Sequence, residues 1–318
     1  LAYCTSIVRS QFRTHVFGVI VLGHCDRLFH WDPSGMVVTS LFDYTNQTDN
    51  YLAQFIWYYD NASPLTRGHD TSVEHISETQ AYEFVGQEIA ERVKARNPHH
   101  SHFCTMNIPD RENGEIQHLH LISYPPPCHV SSSFERMTRT VQAFDLETKE
   151  FVFVKDYWRD VTAEAEKEGD IYTLLEKHNV PNIAPFGHGN DVQCKVRFKD
   201  SEDSVLRPVY TRHKVRPGDK IQKHKRLKQW TLYRMSLKVI GESLKTFKST
   251  KQLVTVIADA MEAHDAAFFD AHILHRDISI GNILIHNGRG LLIDWDSCLI
   301  VVNGPRSAPR AVSILNYS

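Results

Sequence analysis

His275-Arg276-Asp277-Ile278-Ser279-Ile280-Gly281-Asn282, followed by Leu291-Leu292-Ile293-Asp294-Trp295-Asp296, is the stretch on which the reading of this chain turns. It has the form H-R-D-x-x-x-x-N, then two short apolar runs, 283–284 and 291–293, the second ending in an aspartate. Asn287-Gly288 separates the runs and predicts a two-residue hairpin, whose central positions both need a positive φ. Three oxygen-bearing side chains, Asp277, Asn282 and Asp294, are thereby tied to one loop and one hairpin. Carboxylate and amide oxygens suit a hard cation such as Mg²⁺.

Phosphoryl transfer needs a carboxylate that orients an attacking hydroxyl and two further oxygen ligands for Mg²⁺. Asp277, Asn282 and Asp294 supply them in that order and at the spacing of a protein-kinase catalytic loop. The same chemistry requires a lysine for the ATP phosphates and a glutamate to hold it. Val152-Phe153-Val154-Lys155 reads as the end of a strand and offers Lys155 for the first role. A solvated lysine at a strand end is the plainer reading of the same residue. For the second role Glu168 stands before the apolar positions Ile171, Leu174 and Leu175, with Glu164 and Glu166 as rivals on the same helix.

Working outward, residues 140–146 and 151–154 read as two strands, and 162–177 as a helix. Residues 191–228 are polar with no clear period, and 232–240 is a further strand. Ser249 with Gln252 forms a capping box that opens a long helix, with Leu253, Ile257, Met261, His264 and Phe268 as its expected apolar face. Toward the N-terminus, 16–22, 27–31 and 36–40 read as strands around the turn Asp32-Pro33-Ser34-Gly35. The aromatic run 51–59 suits either a helix or a strand. Ser77 and Gln80 form another capping box, heading one helix with Tyr82, Val85, Ile89 and Val93 along a face and Pro98 at its stop. Pro125-Pro126-Pro127 is the expected domain boundary, since three prolines make a stiff, extended connector.

The chain has 318 residues, about two domains' worth. Hydrophobic residues make up 42% and charged residues 23%, an ordinary globular composition that excludes wholesale disorder. Lys+Arg 36 against Asp+Glu 38 leaves a net charge of -2, so no global field favours nucleic acid or an anionic membrane. The six cysteines form no CxxC pair, which argues for reduced thiols in cytosol or nucleus. The strongest apolar run, 16–22, is too short to span a bilayer. Arg9 and Arg13 before it imitate a signal peptide only faintly, and Leu1 is not a start methionine.

Several stretches resemble the fungal-type protein kinases, a eukaryotic-kinase-like family: ILHRDISIGNILI (273–285), LLIDWDS (291–297), FVKDYWR (153–159) and EGDIYTLL (168–175). RLFHWDPSG (27–35) and GHDTSV (68–73) extend the resemblance over most of the chain. It implies an α+β, protein-kinase-like bilobal fold at 131–318, with a β-rich N-lobe at about 131–242 and a partial helical C-lobe at about 243–300. A family-specific α+β region would occupy 1–130, and 301–318 would be an unrelated tail. The implied cofactors are ATP and Mg²⁺, with transfer of the γ-phosphate to a Ser/Thr hydroxyl on a protein substrate. His275 would pack against the strand that carries Asp294, and Arg276 would pair with a phosphorylated activation segment.

The sequence also departs from that pattern. The expected phosphate loop near 134–139 contains no glycine. Ser279 stands where serine/threonine kinases carry a lysine, and Trp295-Asp296 replaces the Phe-Gly of D-F-G. Only 24 residues follow Asp294, so a C-lobe truncated after the metal-binding strand is expected. Two further functions are therefore open: an inactive pseudokinase, interaction module or remnant, and a small-molecule kinase of the choline or aminoglycoside type, whose metal strand Ile293-Asp294-Trp295-Asp296 resembles. His99, His100, His102, Cys104, His118 and His120 suggest zinc by residue type but match no structural zinc spacing, so a solvated histidine loop is expected. The basic stretch 212–228 is expected to be a solvated insertion, with a nuclear address or phosphate patch as the sharper reading.

Overall fold

Alternating and β-branched runs give more strand than helix among the described residues. The computed structural model describes residues 2–46, 50–96, 102–124, 137–161, 166–197, 204–213 and 229–301. The result is a mixed α+β architecture with a sheet-rich body. The chain divides into two compact units, one of Leu1–Glu150, Val154–Ala165 and His188–Met235, the other of Phe151–Phe153, Glu166–Gly187 and Ser236–Ser318.

In the first unit, helix α1 (Ala2–Ser10) leads into β1 (Val16–Leu22), β2 (Cys25–Asp32), β3 (Gly35–Val38) and β4 (Phe42–Asp43). Their antiparallel order is β1-β2-β3, with β4 pairing to β2, and Val16 lies opposite Trp31. The aromatic run becomes a helix, α2 (Tyr51–Asp60), which buries none of its residues. After β5 (Val73–Ile76), the single helix expected from Ser77 is two, α3 (Glu78–Val85) and α4 (Gln87–Ala95). The Ser77–Gln80 capping box forms. The break falls at Gly86, whose φ of 77° is a left-handed value that glycine adopts without steric cost.

Seven strands form the large sheet: β5, β6 (His102–Pro109), β7 (Gln117–Tyr124), β8 (Arg139–Asp145), β9 (Phe151–Asp160), β10 (Phe186–Asp191) and β13 (Trp230–Leu237), in the order β10-β13-β9-β8-β7-β6-β5. The polar region after Asp191 is not structureless: β11 (Gln193–Arg197) and β12 (Ser204–Pro208) pair as an antiparallel hairpin. The histidine loop is likewise corrected. His102 and Cys104 lie on β6, His118 and His120 on β7, and Cys104 and His120 are buried. Both faces of these strands are covered, residues 103–106 and 120–123 all being buried, which takes those groups out of water. His99 and His100, the triple proline, residues 134–136 of the phosphate-loop region, residues 214–228 of the basic stretch and the tail after Val301 lie outside the described residues.

Cys4, Val8, Val16, Trp31, Trp158, Val192, Val209 and Leu232 form an apolar cluster in this unit. Beside the sheet core lies a charged centre. Arg234, fully buried, donates to Asp70 Oδ2 at 2.7 Å, Asp156 Oδ2 at 2.9 Å, Ser72 Oγ at 2.7 Å and the Asn107 carbonyl at 2.9 Å. Arg139 adds 2.9 and 3.1 Å bonds to the Asp156 carboxylate. With its donors matched, the guanidinium is tolerated where an unpaired charge would not be.

The second unit contains α5 (Glu168–Lys177), β14 (Glu242–Ser243), α6 (Thr250–Phe269), β15 (Ile273–Leu274), β16 (Ile283–His286), β17 (Arg289–Leu292) and β18 (Leu299–Ile300). Ser249 caps α6 by accepting from the Gln252 amide at 3.2 Å. The expected face of that helix is corrected. Val256, Asp259, Ala260, Ala263 and Ala267 are buried, whereas Ile257 is 40% and Met261 50% exposed. The cause is close approach by β17: a Cβ at Gly290 would lie 2.2 Å from the Val256 carbonyl oxygen. With Ala260, Ala263 and Ala267 on it, this face is made mostly of small side chains, and Ile257 and Met261 turn outward. Asp259 completes the contact, accepting from the Gly290 amide at 2.7 Å and from Arg289 Nε and Nη2 at 2.8 and 2.7 Å. Between β16 and β17, Asn287 and Gly288 have φ of 51° and 79°, as the two-residue turn requires.

Candidate active site

The loop between β15 and β16 carries the H-R-D-x-x-x-x-N residues, and a cross-braced set of hydrogen bonds joins it to the chain entering Asp294. His275 is fully buried. Its Nε2–H donates to the Ile293 carbonyl at 3.0 Å, while Nδ1 accepts from the Asp277 amide at 3.2 Å. A carbonyl cannot donate, so this pair of partners selects the Nε2–H tautomer. Burial pushes the His275 pKa down, which keeps the ring neutral. Its ring also meets that of Trp295 edge-on, centroids 4.5 Å apart.

Asn282 closes the loop from the other end. Its Nδ2 donates to the Asp277 carbonyl at 2.8 Å and to Asp277 Oδ2 at 3.1 Å, and its own carbonyl accepts from the Ile293 amide at 3.0 Å. The amide nitrogen being used internally, Oδ1 is the atom with which Asn282 can act as a ligand. Asp277 itself is exposed.

Two non-glycine residues of this site are left-handed, Arg276 at φ 67° and Asp294 at φ 70°. Such conformations cost on the order of 1–3 kcal/mol and persist where surrounding bonds over-determine them. Arg276 is held by bonds to main chain: Nε to the Ser297 carbonyl at 2.6 Å and Nη2 to that of Cys298 at 3.5 Å.

Glu168, Asp294 and Asp296 bring ligand oxygens within 4.8 Å of one another. Glu168 opens α5, is 1% exposed, and its Oε1 accepts from the Trp295 amide at 3.1 Å. Burial, and then the Glu168 and Asp294 charges, hold the Tyr172 hydroxyl well above its usual pKa. Trp295 is buried, its indole N–H donating to the Leu292 carbonyl at 3.3 Å. Three carboxylates at this spacing repel one another, and a cation relieves the repulsion. An all-oxygen, carboxylate-rich donor set fits Mg²⁺.

Of the rivals to Glu168, Glu166 is exposed and precedes α5, which starts six residues later than the expected 162; Glu164 lies outside the described residues. Lys155 belongs to the first unit. It is not a solvated strand end: β9 continues to Asp160, Lys155 is 7% exposed, and its Nζ stands 4.5 Å over the Tyr157 ring. Sequence reasoning missed Asp259, which fastens the hairpin ahead of Asp294. A lone aspartate inside an amphipathic helix gives no sign that its partners are an arginine and an amide 30 residues on.

Among the described residues, no helix is long and apolar enough to cross a membrane. No curated protein matches the chain. The family model described as fungal protein kinase matches residues 1–311. With nearly the whole sequence covered, including the braced loop and the acidic strand end, the chain belongs to the fungal protein kinase family.

Proposed function

We propose that the protein is a Mg·ATP-dependent phosphotransferase that moves a γ-phosphate to a Ser/Thr hydroxyl on a protein. The observation that carries this reading is the bracing of Asp277 by Asn282 and His275 beside the Glu168–Asp294–Asp296 carboxylates. Asp277 is exposed and ionisable, so it can accept a hydrogen bond from an incoming hydroxyl and then take its proton. Asn282 orients that carboxylate through Nδ2 and offers Oδ1 to a metal, alongside Asp294. Mg²⁺, when bound, neutralises charge on the phosphate oxygens. Lys155 is assigned to the phosphates, and Glu168 to the support of the Asp294 turn. His275 holds the loop at its set distance from the strand.

The test is transfer of labelled γ-phosphate by the full chain. Asp277→Asn is expected to keep Mg-dependent nucleotide binding and to lose transfer by about 10²-fold or more. Asp294→Asn is expected to lose the Mg-dependent part of nucleotide binding. Equal nucleotide affinity in wild type and Asp294→Asn overturns the metal assignment. Label on a small amine-alcohol in place of protein overturns the substrate class.

A further inference from the structure

In the first unit, the segment between α2 and β5 buries every second residue. Gly68, Asp70 and Ser72 are buried, whereas Arg67 and His69 are half-buried and Thr71 is exposed. The buried three are committed to the interior. The Gly68 carbonyl accepts from the Thr14 amide at 2.8 Å, and Asp70 Oδ2 and Ser72 Oγ each accept from Arg234 at 2.7 Å. Arg67, His69 and Thr71 instead line a cavity of about 410 Å³.

The chemistry of that lining is rich in donors and short of acceptors. Arg67 Nε is out of water and has no hydrogen-bond partner among the described residues. A buried donor with nothing to donate to is costly, and its direction marks where an acceptor belongs. Arg13 stands against the same segment. Its Nη1 donates to the Arg67 carbonyl and its Nε to Gln11 Oε1, both at 2.9 Å. Those acceptors are neutral, so they leave the Arg13 charge uncompensated. Burial first, then the Arg13 and Arg67 charges and His75, push the His69 pKa down. The field that keeps a proton off His69 attracts an anion to its side. A neutral His69 still carries one N–H, and Thr71 carries a hydroxyl.

Two acids border the cavity, Asp70 and Glu74. The Asp70 carboxylate is taken by Arg234 and by Ser72, whose hydroxyl donates at 2.5 Å, while Glu74 is exposed. Pro64 and Val73 add an apolar wall. A bare anion has no use for such a wall, but the organic group of an ester does. The volume also falls within the roughly 300–1,000 Å³ of small-molecule sites. The cradle is formed in advance of any ligand: the Asp70 amide donates to the Phe12 carbonyl at 2.9 Å, and a Cβ at Gly68 would lie 2.2 Å from the His15 carbonyl oxygen. Such fixing lowers the ordering cost of binding.

We propose that Arg67, His69 and Thr71 form a binding site for a phosphomonoester, with the Arg67 guanidinium on the phosphate oxygens and Pro64 and Val73 against the esterified group. A planar guanidinium offers phosphate two parallel N–H bonds, which a lysine cannot. The inference is independent of the phosphotransfer reading.

The experiment is isothermal titration of the full chain with O-phospho-L-serine, without Mg²⁺ and at low ionic strength. One site per chain is expected, and L-serine is expected not to bind. Arg67→Gln should weaken binding by about 10-fold or more, the size of a lost charged hydrogen bond. Arg67→Lys, which keeps the charge without the fork, should restore part of the loss. Glu74→Gln removes a carboxylate that opposes the anion and should tighten binding by about 2- to 5-fold. Arg67 Nε has no partner to lose and Glu74 is exposed, so the packing survives these changes, which circular dichroism of each variant checks. A phosphoserine peptide that binds more tightly than O-phospho-L-serine supports the proposal with a phosphorylated protein as source, and a weaker one supports it with a small phosphate ester. The proposal is overturned if O-phospho-L-serine does not bind or binds no better than L-serine. It is equally overturned if Arg67→Gln binds as wild type does, or if Glu74→Gln weakens binding.

Discussion

Asp259→Ala tests how the hairpin that leads into Asp294 is fastened. The carboxylate accepts three bonds, from the Gly290 amide and twice from Arg289. These are unequal. Gly290 is buried, and without Asp259 its N–H has no partner, a loss of about 1–3 kcal/mol. The Arg289 side chain is 62% exposed, and water replaces its partner, so that pair contributes about 0–1 kcal/mol. Asp259→Ala should therefore destabilise the protein by about 2–3 kcal/mol. Asp259→Asn, which keeps an acceptor for Gly290, should cost about 1 kcal/mol, and Arg289→Ala less than ~1 kcal/mol. Arg289 and then the Gly290 amide hold the Asp259 pKa below its ordinary 3.8. The folded value being the lower one, this stabilisation is complete above pH 3.8 and is lost as pH falls through the folded value. Urea unfolding of the full chain and its three variants reads these differences directly. An Arg289→Ala penalty equal to that of Asp259→Ala would refute the reasoning, as would an Asp259→Asn penalty equal to that of Ala.

Two further outcomes concern packing. Arg234→Met strands the Asp70 and Asp156 carboxylates in the core of the first unit and should cost about 3–5 kcal/mol in urea unfolding; a loss under ~1 kcal/mol would mean the cluster is not desolvated. Gly290→Ala places a methyl group against the Val256 carbonyl and should cost at least about 1–3 kcal/mol by the same measurement, whereas an unchanged midpoint would mean β17 does not lie that close to α6.

Local chemistry was the part of this fold most legible in advance. Asn287-Gly288, the Ser249 cap and the Ser77–Gln80 box each specify a turn or a helix start through their own backbone preferences, and each stands where the residues put it. What could not be read locally depends on partners distant in sequence. The face of α6 has the right period but the wrong phase, because β17 selects for side-chain size and the sequence pattern reports only polarity. β9 runs on through Lys155, Asp156 and Arg159 because charges there find mates: Asp156 meets Arg234, and Arg159 pairs with Asp191 by two bonds of 2.7 Å. Polar spacing alone marks that segment as a strand end. In the candidate site, spacing singled out Asp277, Asn282 and Asp294, and the fold ties Asn282 to Asp277. The tautomer of His275 and the hold of Glu168 on the Trp295 amide were not legible, since both depend on backbone atoms brought together only by folding. The stacking of His118 on His188 follows the same rule, since nothing in the spacing of the two residues points one to the other.

Arg276 reaches its acceptors through main-chain carbonyls of Ser297 and Cys298. A carbonyl is present whatever side chain follows it, so this contact is blind to the identity of those two residues. It senses only the route the backbone takes after Asp294. Side-chain replacements at 297 or 298 that leave the route alone pass unnoticed by the guanidinium. A bend in that route reaches Arg276 at once, and through its neighbour Asp277, the carboxylate assigned to the incoming hydroxyl.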